Sequence, residues 1–155
     1  MTAITFRPYR PTQEERALEA LIRGLNADEA NIRPLSDDNL TRTLAHLRTL
    51  GEDRGLCVVA DAGGGELVGY ALLFPHWSGE YGGELLLLDE LYVVPDLRSR
   101  GVGADLMAWV EAYARRTGRV GITFVVVGQN THARRFYERI GYERLDVSVY
   151  DKRLG

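Results

Sequence analysis

The sequence predicts a mixed α/β (α+β) fold, in which helices cover the faces of a mixed sheet. Two observations support this class. Up to about residue 50 leucines recur at helical spacing, whereas from Gly55 onward short apolar runs alternate with turn residues. The 155 residues are 45% hydrophobic and 26% charged, which is enough apolar material for a core without disulfides or metals. We therefore expect one domain over residues 1–155.

The first third of the chain is predicted to form a strand and two helices. Ile4 to Tyr9 begins with apolar alternation and predicts a short strand. Thr12 and Glu15 have the spacing of a capping box at the start of a helix. The apolar stripe of that helix follows as Leu18, Leu21, Ile22 and Leu25. A second helix begins near residues 36–38 and ends near Gly51, with a stripe of Leu40, Leu44, Leu47 and Leu50.

The rest of the chain alternates strands with helices. The predicted elements are a strand at 56–60, a hairpin turn at 61–65, a strand at 67–74, a loop at 75–83, a strand at 84–94, a helix at 101–117, a strand at 120–127, a helix at 131–139 and a strand at 145–150. The resulting order is β-αα-β-β-β-α-β-α-β, which is typical of a mixed sheet with helices on its faces.

Composition excludes several classes of function. The net charge of −3 does not indicate a nucleic-acid binder. No apolar run is long enough for a membrane span, and the first residues lack a signal-peptide apolar region, so we expect no membrane partner and a cytoplasmic location. Cys57 lies in an apolar run and is expected to be a buried structural thiol. The histidines show no metal-ligand spacing, so no metal is expected.

The most informative stretch joins the strand ending at Val94 to the helix that opens at Gly101 and Gly103. The first turn of a helix presents free N–H groups and the positive end of the helix dipole, and glycines allow an anion to approach them. Arg98 and Arg100 add positive charge. A dinucleotide fingerprint fails because Leu106 stands where a third small residue is needed, and the Walker A pattern is absent. The pattern predicts a site for a phosphate or pyrophosphate.

Two ordered motifs resemble those of the GNAT family of N-acetyltransferases. Residues 98–103 (RSRGVG) follow the strand 91–95 (LYVVP), as in that family, and residues 130–142 (NTHARRFYERIGY) resemble its second motif, with Tyr142 in place of the usual Phe. The resemblance spans the chain. It implies the GNAT fold, with a mainly antiparallel sheet, two splayed parallel strands and a bulge near 89–91, and it implies acetyl-CoA as the donor. Family members of this size also suggest a homodimer.

The resemblance assigns the cofactor site to the two motifs and the strand before them. The expected cofactor-binding residues are Leu91, Tyr92, Val93, Arg98, Ser99, Arg100, Gly101, Val102, Gly103, Ala104, Asn130, Ala133, Phe136 and Tyr137. The pyrophosphate would lie on the backbone of 100–104, and the pantetheine arm would pair with the edge of the strand at 91–93.

Three side chains are candidates for the chemistry. The resemblance places Tyr137 beside the sulfur, where it would donate a proton to the leaving thiolate. Glu90 is the candidate general base with Asp89 as its neighbour, because a buried carboxylate has a raised pKa. Successive strand residues point to opposite faces, so without a bulge only one of the two faces the cleft. An equally weighted alternative is that these acids only steer cations. The Val93 N–H is the expected oxyanion donor.

The acceptor is expected to be a small-molecule amine. The segment 74–84 mixes aromatics with carboxylates, which suits an ammonium ligand, and we expect substrate contacts from His76, Trp77, Glu80, Tyr81, Asp89 and Glu90. Residues 68–75 and 87–93 also resemble the diamine branch of the family. An amino acid, an aminoglycoside-like compound, a protein N-terminus and a non-catalytic module that senses CoA are the alternatives. Residues 95–145 carry a net +4 and residues 1–94 a net −7. This division favours an anionic donor and a cationic acceptor, and the alternative is a chance scatter of surface charge.

Overall fold

The computed structural model describes residues 3–28 and 33–155, which form a five-stranded sheet with helices on both faces. The elements in chain order are β1 (Thr5–Pro8), α1 (Glu15–Asp28), α2 (Asp37–Arg48), β2 (Leu56–Asp61), β3 (Leu67–Ser78), β4 (Gly83–Val93), a 3₁₀ turn (Pro95–Leu97), α3 (Val102–Arg116), β5 (Gly121–Thr123) and α4 (Thr131–Arg139).

The strand order in the sheet is β1-β2-β3-β4-β5. The first four strands pair antiparallel, and β5 pairs parallel to β4. The mixed, mainly antiparallel sheet is therefore confirmed. Helices α1 and α2 cover one face of the sheet through their leucine stripes, and α3 covers the other through Leu106, Met107 and Val110.

A β-bulge interrupts β4 at Asp89. Leu72 of β3 lies opposite Glu90, whereas Leu73 lies opposite Leu88, so Asp89 has no partner in the ladder. An extra residue reverses the alternation of side chains along a strand, and the carboxylates at 89 and 90 therefore face the same side. The bulge expected near 89–91 is present.

Strands β4 and β5 separate after a short parallel ladder. The pairing runs only from Leu85 opposite Gly121 to Leu87 opposite Thr123. The predicted strand at 120–127 is thus shorter than expected, because residues 124–127 diverge from β4 and lose their ladder partner. The two backbones enclose a gap that side chains of α4 and of the α1–α2 region both line.

Two predicted elements are wrong. The segment 75–83 is not a loop, since β3 continues to Ser78 and β4 begins at Gly83, leaving a tight hairpin. Residues 145–150 form no strand, and their apolar side chains are exposed, Val147 at 71%.

The capping box expected at Thr12 is also absent. Thr12 has a φ of 70° in the turn before α1, and the Glu15 carboxylate accepts hydrogen bonds from Arg48 instead. Glu14 stands at the start of α1, and its carboxylate accepts from Arg7 and from the Arg10 N–H. Burial raises the pKa of Glu14, but these hydrogen bonds outweigh it and lower the pKa overall.

Cys57 is buried on β2, and burial raises the pKa of its thiol far above the ordinary value. This agrees with the expected structural role, since an inert thiol lacks thiolate character. Among the described helices, none combines the length and apolarity needed to cross a membrane.

Candidate functional site

The gap between β4 and β5 holds two adjoining cavities. We name them the donor cavity, of about 580 Å³, and the acceptor cavity, of about 370 Å³. The donor cavity is lined mainly by the end of β4, the start of α3 and α4. The acceptor cavity lies between the β4 bulge, residues 124–127 and the α1–α2 region. Both volumes fall in the range that small-molecule sites occupy.

The donor cavity is built around the N-terminus of α3. Gly101 caps the helix with a φ of 86°, a left-handed conformation that favours glycine. The first bond inside the helix runs from the Asp105 N–H to the Gly101 carbonyl, 2.9 Å, so the N–H groups of Val102, Gly103 and Ala104 have no acceptor within α3. A Cβ added at Gly101 would meet no atom within 4 Å. The helix start is thus open to an anion.

The edge of β4 contributes further donors. The Val94 N–H donates to the Val68 carbonyl at 2.9 Å, with Val93 opposite Gly69. Because antiparallel residues alternate in direction, this register turns the N–H groups of Leu91 and Val93 away from β3 and toward the gap. An extended chain with amide groups can pair with such an edge.

Arg98 fastens the loop between β4 and α3. Its ε N–H donates to the Val93 carbonyl at 2.9 Å, and its Nη2 donates to Asp28 Oδ2 at 2.7 Å. The guanidinium also lies 5.3 Å from the centroid of the Tyr92 ring. Arg98 therefore holds the loop in shape, and its charge is already shared with Asp28.

The residues that the two cavities have in common come from β4, from the N-cap of α4 and from α4 itself. Both are lined by Leu91, Asn130, Ala133 and Tyr137. Asn130 caps α4 by accepting from the Ala133 N–H at 3.1 Å. The Tyr137 ring packs against Phe124, Phe136 and Tyr142 at centroid distances of 4.2, 5.0 and 6.0 Å. The cap and the aromatic packing fix Tyr137 at the boundary between the cavities.

The bulge places the carboxylates of Asp89 and Glu90 on the acceptor cavity. Glu90 accepts a hydrogen bond of 2.7 Å from the hydroxyl of Tyr70, a fully buried side chain, and this bond fixes the Glu90 carboxylate. Asp89 lies in the bulge, open to the cavity, and desolvation by the surrounding protein raises its pKa. The site thus holds one anchored carboxylate and one carboxylate that takes up a proton more readily than an ordinary aspartate.

The hairpin residues His76, Trp77, Glu80 and Tyr81 do not lie at this site. None of them lines either cavity, and Trp77 and Tyr81 are 68% and 59% exposed. The β4–β5 ladder at 85–87 separates the hairpin tip from the gap. From Gly83 to Asp89 the strand spans roughly 20 Å at about 3.3 Å per residue. The structure does not bring these residues to either cavity, and their contact with the substrate stays a prediction.

Most expected cofactor residues line the donor cavity, and the exceptions are Arg100 and Val102. The Val102 side chain is buried against Val93 in the core, so only its backbone N–H is available at the helix start. Arg100 is exposed in the loop.

Sequence reasoning missed several residues of the site. These are Asp28, Gln129, His132 and Arg139 in the donor cavity and Asn26, Arg33, Asn39 and Phe124 in the acceptor cavity. His132 and Arg139 lie within the second motif, at positions that the resemblance does not specify. The residues of the α1–α2 region carry no motif, because they reach the gap only through tertiary packing. Among the described residues, no cluster of His, Cys, Asp or Glu is suited to a metal ion.

The fold and the helix-start motif together define an acetyltransferase domain. Residues 18–142 match the acetyltransferase (GNAT) family, and the chain belongs to that family. Acetyl-CoA is the co-substrate of the family. The residues present fit it, because an open glycine-rich helix start and a free strand edge line one cavity.

Particular relatives are similar over about half of their length. The chain is 34% identical over 79 residues to the uncharacterized N-acetyltransferase YhfO of Bacillus subtilis, covering 51% of this chain and 53% of that protein. It is 32% identical over 87 residues to the aminoalkylphosphonate N-acetyltransferase of Salmonella typhimurium, covering 52% of each.

The fold extends over nearly the whole chain. A solved structure of AAC(6')-Iy in complex with the bisubstrate analog CoA-S-monomethyl-acetylneamine superimposes with a TM-score of 0.79, covering 98% of this chain and 99% of that one. At 19% identity this likeness shows the fold alone.

Proposed function

We propose that the protein transfers acetyl from acetyl-CoA to the primary amine of a small acceptor by direct attack on the thioester. One observation carries this proposal. A cavity suited to an anionic nucleotide donor and a cavity with two carboxylates share a wall that contains Tyr137. A module that only sensed the cofactor would need neither the second cavity nor the carboxylates.

The donor side holds acetyl-CoA through backbone groups. The N–H groups of 102–104 face the pyrophosphate, and those of Leu91 and Val93 are directed to the pantetheine arm. Acetyl-CoA supplies an activated acyl thioester. The Val93 N–H is the proposed donor to the negative charge that develops on the acyl oxygen.

The acceptor side must take a proton, because a primary amine is a cation at neutral pH and only its neutral form is a nucleophile. The sequence favoured Glu90 as the base. The structure supports a division of roles in which Asp89, with its raised pKa, takes the proton and Glu90, held by Tyr70, binds the ammonium. The alternative in which the acids only attract the cationic amine then applies to Glu90 and not to Asp89.

Tyr137 is the proposed acid. It stands where the two cavities meet, so its hydroxyl is placed to donate a proton to the leaving thiolate. The ring contacts with Phe124 and Phe136 orient the side chain toward that boundary.

Two classes of acceptor fit the proposal. Paired carboxylates at 89 and 90 favour a cationic diamine or polyamine. Arg33, which lines the same cavity, favours a second class in which the amine is accompanied by an anionic group, as in an amino acid or an aminoalkylphosphonate. An aminoglycoside-like compound and a protein N-terminus are the other acceptors to be compared.

A panel assay tests the proposed function. The protein is mixed with acetyl-CoA and with diamines, amino acids, aminoalkylphosphonates and aminoglycosides, and the release of thiol is followed. Saturable release with at least one amine, and its loss in Asp89→Asn, support the proposal. Tight binding of acetyl-CoA without release of thiol in the presence of any amine would instead favour the sensing module.

A cytoplasmic location and a homodimer are further proposals from the sequence. Light scattering tests the homodimer.

A further inference from the structure

We infer that the preferred acceptor carries an anionic group beyond its amine, and that Arg33 is the specificity-determining residue that binds this group. The inference rests on the proposed acetyl transfer to an amine. It favours an amine that carries an anionic group over a diamine or polyamine, and it names Arg33 as the residue that distinguishes them.

The first observation is the position of Arg33. It lines the acceptor cavity together with Asp89 and Glu90, and it comes from the segment that enters α2, whereas the carboxylates come from the β4 bulge. Among the described residues that line this cavity, Arg33 is the one with a cationic side chain. Positive and negative groups therefore reach one small cavity from different elements, which is the arrangement that recognises a zwitterion.

The second observation is the partner of Arg33. Its guanidinium forms an ion pair with Asp151 of the C-terminal segment, a residue 118 positions away. Both side chains are exposed, at 56% and 61%. Exposed ion pairs are weak, so a ligand anion can displace Asp151 at little cost. The Arg33 guanidinium already pairs with the carboxylate of Asp151. Its forked N–H groups suit a ligand carboxylate or phosphonate equally well.

The charges disfavour a polyamine. An acceptor whose amine lies at Asp89 and Glu90 extends the rest of its chain into a cavity whose lining includes Arg33. A second ammonium near Arg33 would be repelled, whereas an anionic end would be attracted.

Three acceptors with the same three-carbon amine test the inference. They are 3-aminopropylphosphonate, propylamine and 1,3-diaminopropane, whose third carbon carries an anionic phosphonate, no further group and a cationic ammonium, respectively. We expect kcat/KM for the phosphonate to exceed that for propylamine by about tenfold or more, as one charge-assisted contact supplies. We expect Arg33→Gln to remove this advantage and Arg33→Glu to reverse it toward the diamine, through KM rather than kcat.

Arg42→Glu is the matched control. Arg42 lies on α2, is exposed and forms only a 3.8 Å pair with Asp38, and it does not line the cavity. Arg42→Glu makes the same change of charge as Arg33→Glu. It should leave the order of kcat/KM among the three acceptors unchanged. Asp151→Asn should lower KM for the phosphonate, because it removes the competing carboxylate.

Direct binding separates failure of the inference from failure of the proposed function. The binding of 3-aminopropylphosphonate in the presence of CoA is measured by calorimetry for the wild type and the Arg33 variants. Turnover that favours the diamine, or an order of acceptors unchanged in Arg33→Glu, would overturn the role of Arg33. If no amine is acetylated, the proposed function fails, and loss of phosphonate binding in Arg33→Glu alone would still support the anion site.

Discussion

Replacing Gly101 by alanine separates backbone strain from ligand binding. Gly101 has a φ of 86°, where an L-residue is strained, and its added Cβ would meet no protein atom within 4 Å. Gly101 lines the donor cavity, so we expect the methyl group to occupy open space beside the N–H groups that open α3. Gly101→Ala should both lower stability and obstruct the anion.

Gly118 provides the matched control for this strain. It ends α3 with a φ of 75°, and a Cβ there would also meet nothing within 4 Å, but it lines neither cavity. Each alanine should cost about 1–2 kcal/mol of stability, the penalty of a left-handed L-residue. Only Gly101→Ala should also lower the affinity for acetyl-CoA. We expect a loss of about tenfold or more, since one charge-assisted hydrogen bond contributes about 1.5–3 kcal/mol.

Denaturant unfolding and calorimetric titration with acetyl-CoA measure the two effects. Similar losses of stability in the two variants, with loss of affinity in Gly101→Ala alone, would support the helix start as the anion site. Equal affinities in wild type and Gly101→Ala would refute it, because a methyl group beside bound pyrophosphate cannot be neutral.

Three further predictions concern single side chains. Tyr137→Phe should lower kcat by about 10²-fold or more while acetyl-CoA affinity changes little, and an unchanged kcat would remove Tyr137 as the acid. Glu14→Gln should destabilise the protein by about 1–3 kcal/mol near neutral pH, because the Glu14 carboxylate binds Arg7. The pKa of Glu14 is lowered by folding, so this contribution is present above its ordinary value and is lost as the pH falls below about 4. Tyr9→Phe should be neutral or stabilise by up to ~1 kcal/mol in thermal unfolding, since the buried Tyr9 hydroxyl lacks a hydrogen-bond partner among the described residues.

The donor side could be predicted because its information is local. The strand end, the two glycines and the helix start are adjacent in the chain, and the free N–H groups of a helix terminus follow from helix geometry alone. The Gly101 conformation and the exposed strand edge agree with this prediction. Asn130 and Tyr137 are likewise set by one short helix.

The acceptor side could not be predicted in the same way. The aromatic and acidic residues at 74–84 indicated a binding loop, but a strand ladder holds them at the far end of β4. Apolar alternation at 145–150 indicated a strand, yet a strand also needs a hydrogen-bonding partner, and these residues are exposed without one in the described structure.

The sequence by itself determined the class of fold, the pattern that predicts an anion site and the residues that identify the family, since each depends on neighbours along the chain. The tertiary structure decided which side chains line the cavity that we propose for the acceptor. It brought Arg33 to a cavity that also holds Asp89 and Glu90, and the bulge turned both carboxylates to one side. Contacts between residues far apart in the chain depend on packing and strand register, which no local pattern records.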